Sequence, residues 1–140
     1  ANGTPKRVSV GLDQNRLSLQ LAILHKHSGI ATFDQDVFIN VVGGIKVSET
    51  ASDLVVMLAI VSSLRDKVIP SKWIAFGEVG LTGEVRPVYN SMERLSEAQK
   101  QGFEVAIIPK GNAPKKPIKG MKVVTVGYLY QAIQYLLENS

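Results

Sequence analysis

Residues 76–88 read Phe76-Gly-Glu-Val-Gly-Leu-Thr-Gly-Glu-Val-Arg-Pro-Val88 and predict a β-hairpin. Strands are expected over residues 73–79 and 84–88, and Gly80, Thr82 and Gly83 supply the turn between them. Glycine also occurs at every third position here, but the geometry of a turn explains that spacing better than phosphate binding does.

The residues upstream of the hairpin predict a buried helix over residues 51–64. The eight residues from Leu54 to Val61 are all apolar, which is typical of a helix with no solvent-facing side. A run of this length also fits a buried strand. The helix is favoured because Thr50 and Asp53 have the spacing of a capping box and because a polar tail follows.

Periodicity farther from the hairpin predicts six more elements. Helices are expected over residues 14–27, 91–101 (capped by Asn90) and 128–138, and strands over residues 36–42, 104–108 and 122–126. The order is not strictly βαβ, so the fold class is α/β or α+β, with one mixed sheet and packed helices. The 140 residues suit a single domain, which we assign to residues 8–140, with residues 1–7 as a linker or domain edge.

Composition excludes several classes of protein. Hydrophobic residues make up 45% and charged residues 20% of the chain, which argues against disorder, and no apolar run is long enough to span a membrane. Cysteine is absent, which excludes disulfide scaffolds and cysteine-based zinc sites. These features predict a soluble, cytoplasmic domain.

The net charge of +4 is unevenly distributed. No acidic residue occurs between Val105 and Leu137, and five lysines fall in that stretch: Lys110, Lys115, Lys116, Lys119 and Lys122. Clustered basic residues are typical of a surface that binds a polyanion. The alternative is a solvated lysine-rich loop that binds nothing.

No catalytic or cofactor motif is present. The chain has neither a Walker-type phosphate loop nor a Gly-x-Ser-x-Gly elbow, so we expect no ATP hydrolysis by this chain. His25 and His27 lie two residues apart on a predicted helix, about 200° around its axis, and cannot share a metal ion. We therefore expect no metal and no cofactor in this chain.

The hairpin and its surroundings resemble the proteolytic domain of Lon proteases. Residues 76–88 are similar to its Thr-Gly-Glu hairpin, and a helix and then Ala106-Ile-Ile-Pro109 follow at the same distance as in that family. Residues 46–64 occupy the place where Lon carries its nucleophile at the start of a buried helix. The resemblance implies the Lon proteolytic-domain fold, which is ribosomal protein domain-2-like.

Three further segments resemble the RadA (Sms) family of bacterial DNA repair proteins. They are Gly11-Leu-Asp-Gln-Asn-Arg16, Asp36-Val-Phe-Ile-Asn-Val-Val-Gly-Gly-Ile-Lys-Val47 and Ser62-Ser-Leu-Arg-Asp66. The resemblance implies a C-terminal, Lon-like domain of a hexameric, DNA-dependent ATPase that processes branched recombination intermediates. It also implies that ATP, Mg²⁺ and Zn²⁺ belong to upstream domains and that DNA and a recombinase are partners.

The family's Ser-Lys dyad is missing from this chain. Alignment with the Lon pattern places Ala51 at the nucleophile, Met92 at the lysine and Phe76 at the hairpin threonine. None of these side chains can perform the family's chemistry, so the resemblance implies a domain without peptidase activity. The alternative is an active peptidase whose displaced dyad uses Ser52 or Ser48 with a nearby lysine.

For such a domain the resemblance implies ring assembly and DNA binding. The DNA-binding candidates are Arg7, Arg16, Lys46, Arg65, Arg86, Lys115 and Lys116. Two have a structural alternative: Arg65 at a helix C-terminus, and Arg86 paired with Glu84 or Glu78. Because no array of base-reading side chains is evident, DNA binding should be independent of sequence. A third hypothesis is a protein-interaction module whose basic loop only keeps it soluble.

Overall fold

The computed structural model of the chain describes residues 50–140. Its elements, in chain order, are a 3-10 turn (Thr50–Ser52), α1 (Asp53–Leu64), β1 (Trp73–Ala75), β2 (Glu78–Val79), β3 (Val85–Arg86), α2 (Ser91–Lys100), β4 (Val105–Pro109), a 3-10 turn (Lys110–Asn112), β5 (Lys122–Val126) and α3 (Leu129–Asn139). The helix predicted over residues 14–27 and the strand over residues 36–42 lie outside the described residues.

The five strands of residues 50–140 form two sheets. One is parallel with the order β1-β4-β5 and pairs Ile74 with Ala106 and Ala106 with Val123. The other is the antiparallel pair β2–β3, with Glu78 opposite Arg86. The α/β class is therefore confirmed, but the parallel and antiparallel strands lie in separate sheets instead of the single mixed sheet that was expected for this part of the chain.

The strand predicted over residues 73–79 is divided at Phe76 and Gly77. The chain leaves the parallel sheet after Ala75 and begins the hairpin at Glu78. The second hairpin strand also ends early, at Arg86, because Pro87 has no N–H to donate to a ladder.

The parallel sheet has helices on both faces. Alternate strand residues such as Ile107 and Val126 belong to one core cluster with α1 and α3, whereas Ala106 and Ile108 belong to a second cluster with Leu95 of α2. This alternation is the two-residue period of a strand, and it makes the described region a helix–sheet–helix sandwich.

The buried helix is confirmed, but the predicted caps are not. Six apolar side chains of α1 are at most 2% exposed: Leu54, Val56, Met57, Leu58, Ile60 and Val61. Ser52, rather than Thr50, occupies the N-cap of α1 and makes no capping side-chain bond. Asn90 precedes α2 with a left-handed backbone (φ 60°) and likewise caps nothing, because a capping side chain normally needs extended dihedral angles.

Candidate functional site

Two backbone hydrogen bonds hold the turn before α1 against the segment that joins β1 to β2. The N–H of Gly77 donates to the carbonyl of Ala51 at 2.9 Å, and the N–H of Leu54 donates to the carbonyl of Gly77 at 3.1 Å. Ala51, at the predicted nucleophile position, is 7% exposed. Its methyl group has no atom that can attack a carbonyl carbon.

Only glycine fits at position 77. Its φ is +151°, and a Cβ there would lie 2.9 Å from Cγ1 of Val85 and 3.2 Å from Cγ of Pro109. The close approach brings the hairpin, the end of β4 and the turn before α1 together at one end of the sheet.

The residues at the lysine and threonine positions of the Lon pattern also have no polar side chain. Met92 lies near the start of α2, and its thioether, 54% exposed, cannot take up a proton at neutral pH. Phe76 is buried, and the guanidinium of Arg94 lies 5.9 Å from its ring centroid. An aromatic ring therefore lies at the position that the resemblance aligns with the threonine of the Lon hairpin.

Of the two serines considered for a displaced dyad, Ser52 is half-buried at the N-cap of α1, and Ser48 lies outside the described residues. Among residues 50–140, no group of three or more His, Cys, Asp and Glu side chains could hold a metal ion. No helix in the same range has both the length and the apolar character needed to cross a membrane.

The hairpin carries a small network of charges centred on Glu84. Its carboxylate accepts a hydrogen bond from the hydroxyl of Thr82 at 2.6 Å and lies 3.0 Å from Nη2 of Arg86. These contacts, with the Thr82 bond the larger cause, lower the pKa of Glu84 from 4.5 to about 2. Nη1 of Arg86 also lies 3.5 Å from Oε1 of Glu78, and the pKa of Arg86 is raised, mainly by the bond to Glu84.

Arg86 is thus placed between two carboxylates, as its structural alternative predicted. A DNA phosphate at this position would have to compete with both of them for the guanidinium.

The basic loop, residues 110–120, is anchored at both ends. The Asn112 side chain accepts a hydrogen bond from the N–H of Val88 at 2.9 Å and donates one to the Val88 carbonyl at 3.1 Å. At the other end, Nε2 of Gln99 donates to the carbonyl of Lys119 at 2.7 Å. The loop is therefore held against both ends of the segment that contains α2.

Lys115 and Lys116 lie between these anchors with both side chains exposed. Neither forms an ion pair with a carboxylate of the region that the structure describes, where the salt bridges are those of Arg86. The two lysines border a cavity of about 400 Å³ that we call the loop groove. Its lining residues are Ala113, Pro114, Lys115, Lys116, Pro117, Ile118, Met121, Val123 and Thr125.

The structure separates the candidate DNA-binding residues. Arg65 is exposed just after the C-terminus of α1, and Arg86 lies in the hairpin, which is bonded to the helix's N-terminus. A helix of twelve residues is about 18 Å long, so these arginines lie near opposite ends of α1. Arg7, Arg16 and Lys46 are outside residues 50–140.

An exposed aromatic pair was not predicted. The rings of Tyr128 and Tyr130 stack with centroids 6.0 Å apart, and the side chains are 50% and 55% exposed. The stem of Lys110 passes close to Gly127, the residue before this pair. Lys110 and Tyr128 are far apart in the sequence, so the periodicity of the sequence could not predict that they lie close together.

Comparison with known proteins gives consistent matches. Residues 3–112 match a family model described as subunit ChlI of Mg-chelatase. The chain is also 59% identical over 134 residues to the DNA repair protein RadA of Pseudomonas aeruginosa, and 56% identical over 129 residues to that of Escherichia coli. The RadA of Bacillus subtilis is 42% identical over 134 residues.

These alignments cover most of this chain and a minor part of each relative. They span 96%, 92% and 94% of the chain but 30%, 28% and 29% of the respective relatives. The resemblance to RadA that three sequence segments indicated is thereby confirmed, and the chain corresponds to a part of those longer proteins.

Proposed function

The chain belongs to the family described as subunit ChlI of Mg-chelatase and is homologous to RadA, and on that premise we propose that it is a non-catalytic, DNA-facing domain of a DNA repair protein. The whole protein would be a DNA-dependent ATPase acting in the cytoplasm on branched recombination intermediates, alongside a recombinase. ATP, Mg²⁺ and Zn²⁺ would be bound by other domains of that protein.

The single observation that supports DNA binding is the exposed pair Lys115 and Lys116 in the anchored basic loop. Both ammonium groups are exposed, and neither is neutralised by a carboxylate of residues 50–140. Contacts to phosphates need only such cations on one face and carry no sequence information. The proposal is therefore sequence-independent binding in which the basic loop supplies the charge.

The absence of peptidase chemistry rests on the side chains at the family's functional positions. Ala51 has no nucleophile, Met92 has no base, and Phe76 fills the place of a hydroxyl group. We propose that a domain with these residues is retained for binding and assembly.

Assembly into a hexameric ring is the second part of the proposal. Large apolar side chains such as Val68 and Tyr89 are 82% and 91% exposed. Such side chains at a surface suit contacts between subunits, because the core of an interface is depleted of charge and enriched in aromatic residues.

The test measures binding of a short fluorescent DNA duplex by anisotropy over a range of salt concentrations. We expect a dissociation constant on the order of 10⁻⁴ to 10⁻⁶ M, the range of non-specific complexes. Lys115→Ala with Lys116→Ala should weaken binding and flatten the slope of log K against log salt by about two units. The matched control is Lys67→Ala with Lys72→Ala, which removes the same charge away from the loop.

Light scattering on the same samples measures the molar mass and so separates DNA binding from ring assembly. If the loop variant keeps its mass and loses DNA affinity, the lysines contact DNA. Equal losses of affinity in the loop variant and the control would contradict the assignment, because net charge alone would then explain binding.

A further inference from the structure

The loop groove combines exposed lysines with an apolar lining, and DNA phosphates make use of only the lysines. We propose that the loop groove is a docking site for an acidic peptide segment of a partner protein. The segment places apolar side chains against the lining, and its carboxylates pair with Lys115 and Lys116. This site goes beyond DNA binding and does not depend on it.

The apolar side of the groove is built on the protein core. Ile118, Met121 and Val123 pack in the same cluster as Ala106 and Ile108, which are fully buried in the parallel sheet. A lining held in this way is formed before any ligand arrives, so little ordering of the protein opposes binding. The volume of about 400 Å³ falls within the roughly 300–1,000 Å³ typical of binding clefts.

The chemistry of the lining favours a peptide over the bases of a nucleic acid. Bases bind by stacking on aromatic rings or guanidinium groups, and the nine lining residues include neither. Aliphatic side chains and two prolines, Pro114 and Pro117, instead suit the apolar side chains of a polypeptide.

The charge around the groove determines the sign of the charge that the peptide must carry. Lys115 and Lys116 line the groove, Lys119 follows in the same loop, and no acidic residue occurs from Val105 to Leu137. A basic segment would be repelled, whereas carboxylates flanking a few apolar residues complement both features. Within residues 50–140, β5 is an outer strand of the parallel sheet, and Val123 and Thr125 line the groove along it.

The experiment uses a fluorescein-labelled peptide, Glu-Asp-Leu-Phe-Leu-Asp-Glu, and two control peptides. One control replaces the three apolar residues with serine, and the other replaces the four acidic residues with lysine. We expect the parent peptide to bind and both controls to bind at least about tenfold more weakly, the effect of losing one favourable interaction of about 1.4 kcal/mol.

Two variants locate the binding site. Ala113→Phe places a ring in the groove from an exposed position, and Lys115→Glu with Lys116→Glu reverses the charge. Each should lower the affinity for the parent peptide about tenfold or more. The control, Lys67→Glu with Lys72→Glu, should leave that affinity unchanged. Ala113→Phe should also keep its affinity for duplex DNA, which separates failure of this proposal from failure of DNA binding.

Equal binding of the parent and serine-containing peptides would overturn the proposal, since only charge would then matter. Binding of DNA but of none of the peptides would assign the groove to the nucleic-acid surface instead. Unchanged peptide affinity in Ala113→Phe would show that the peptide binds elsewhere.

Discussion

The buried carboxylate of Asp53 accepts a hydrogen bond from the backbone N–H of Val79 at 3.0 Å, across 26 residues of sequence. Asp53 is the first residue of α1 and is 2% exposed, and Val79 belongs to the first strand of the hairpin. The bond therefore ties the hairpin to the start of the central helix. The same end of the sheet holds Ala51, which the resemblance to Lon proteases aligns with their nucleophile.

Removal of this carboxylate should destabilise the domain. Asp53→Ala leaves the N–H of Val79 without that acceptor in a buried site, and we expect the free energy of unfolding to fall by about 1.5–3 kcal/mol. Urea unfolding measures the change. Asp53→Asn keeps an acceptor oxygen and should lose less, so equal losses in the two variants would contradict the role assigned to the hydrogen bond.

A charge in the middle of α1 should be far more damaging. Leu58 is 2% exposed, and Leu58→Asp buries an unpaired carboxylate, which should cost more than about 3 kcal/mol. Met92→Asp is the control, because Met92 is 54% exposed and its replacement should change stability by about 0.5 kcal/mol or less. An unchanged melting temperature in Leu58→Asp would mean that α1 is not part of the core.

Two glycines with positive φ separate backbone strain from steric overlap. An added Cβ at Gly120 (φ +77°) meets no atom within 4 Å, so Gly120→Ala should cost only the strain, about 1–2 kcal/mol. At Gly77 the same change adds an overlap with Val85, so Gly77→Ala should cost distinctly more. Thermal unfolding of the pair is the measurement, and a cost at Gly77 no larger than at Gly120 would contradict the close packing described there.

The depressed pKa of Glu84 makes a pH-dependent contribution to stability. Its pKa is about 2 when folded, against 4.5 ordinarily, so the ionised group favours folding fully above pH 4.5, and this contribution is lost as the pH falls towards 2. Thr82→Ala removes the larger cause of the shift. The stability difference between the wild type and this variant should therefore be present at neutral pH and shrink between pH 4.5 and 2 in acid titrations. A stability difference that stays constant through this range would show that Thr82 does not act through the ionisation of Glu84.

The chain should neither cleave peptides nor react with a fluorophosphonate probe. Ala51 and Met92 offer no nucleophile and no base. Ala51→Ser with Met92→Lys should also remain inactive, because Glu49 and Thr50 stand where the Lon pattern has Gly-Pro before its nucleophile. Casein cleavage and probe labelling check both proteins. Labelling of the unmodified chain that disappears in Ser52→Ala would instead support the displaced dyad.

Patterns over short distances predicted most elements well. The strand at residues 122–126 has the predicted bounds, and the helix over residues 51–64 appears as the turn Thr50–Ser52 followed by α1. Both follow from hydrophobic content and from start and stop residues, which act locally. The predicted caps were wrong because Ser52, without a capping side-chain bond, is the N-cap of α1, and because Asn90 has a left-handed backbone.

The sequence by itself determined the α/β class, the buried central helix, the hairpin and the excess of lysine in one loop. Each is a matter of residue identity or of a period of a few residues. Only the tertiary structure decided that the strands of residues 50–140 divide into two sheets, that Arg86 pairs with two carboxylates, and that Lys115 and Lys116 border an apolar groove. These features depend on contacts between segments that are distant in the sequence. Local patterns do not distinguish between the possible partners, so packing decides which of them meet.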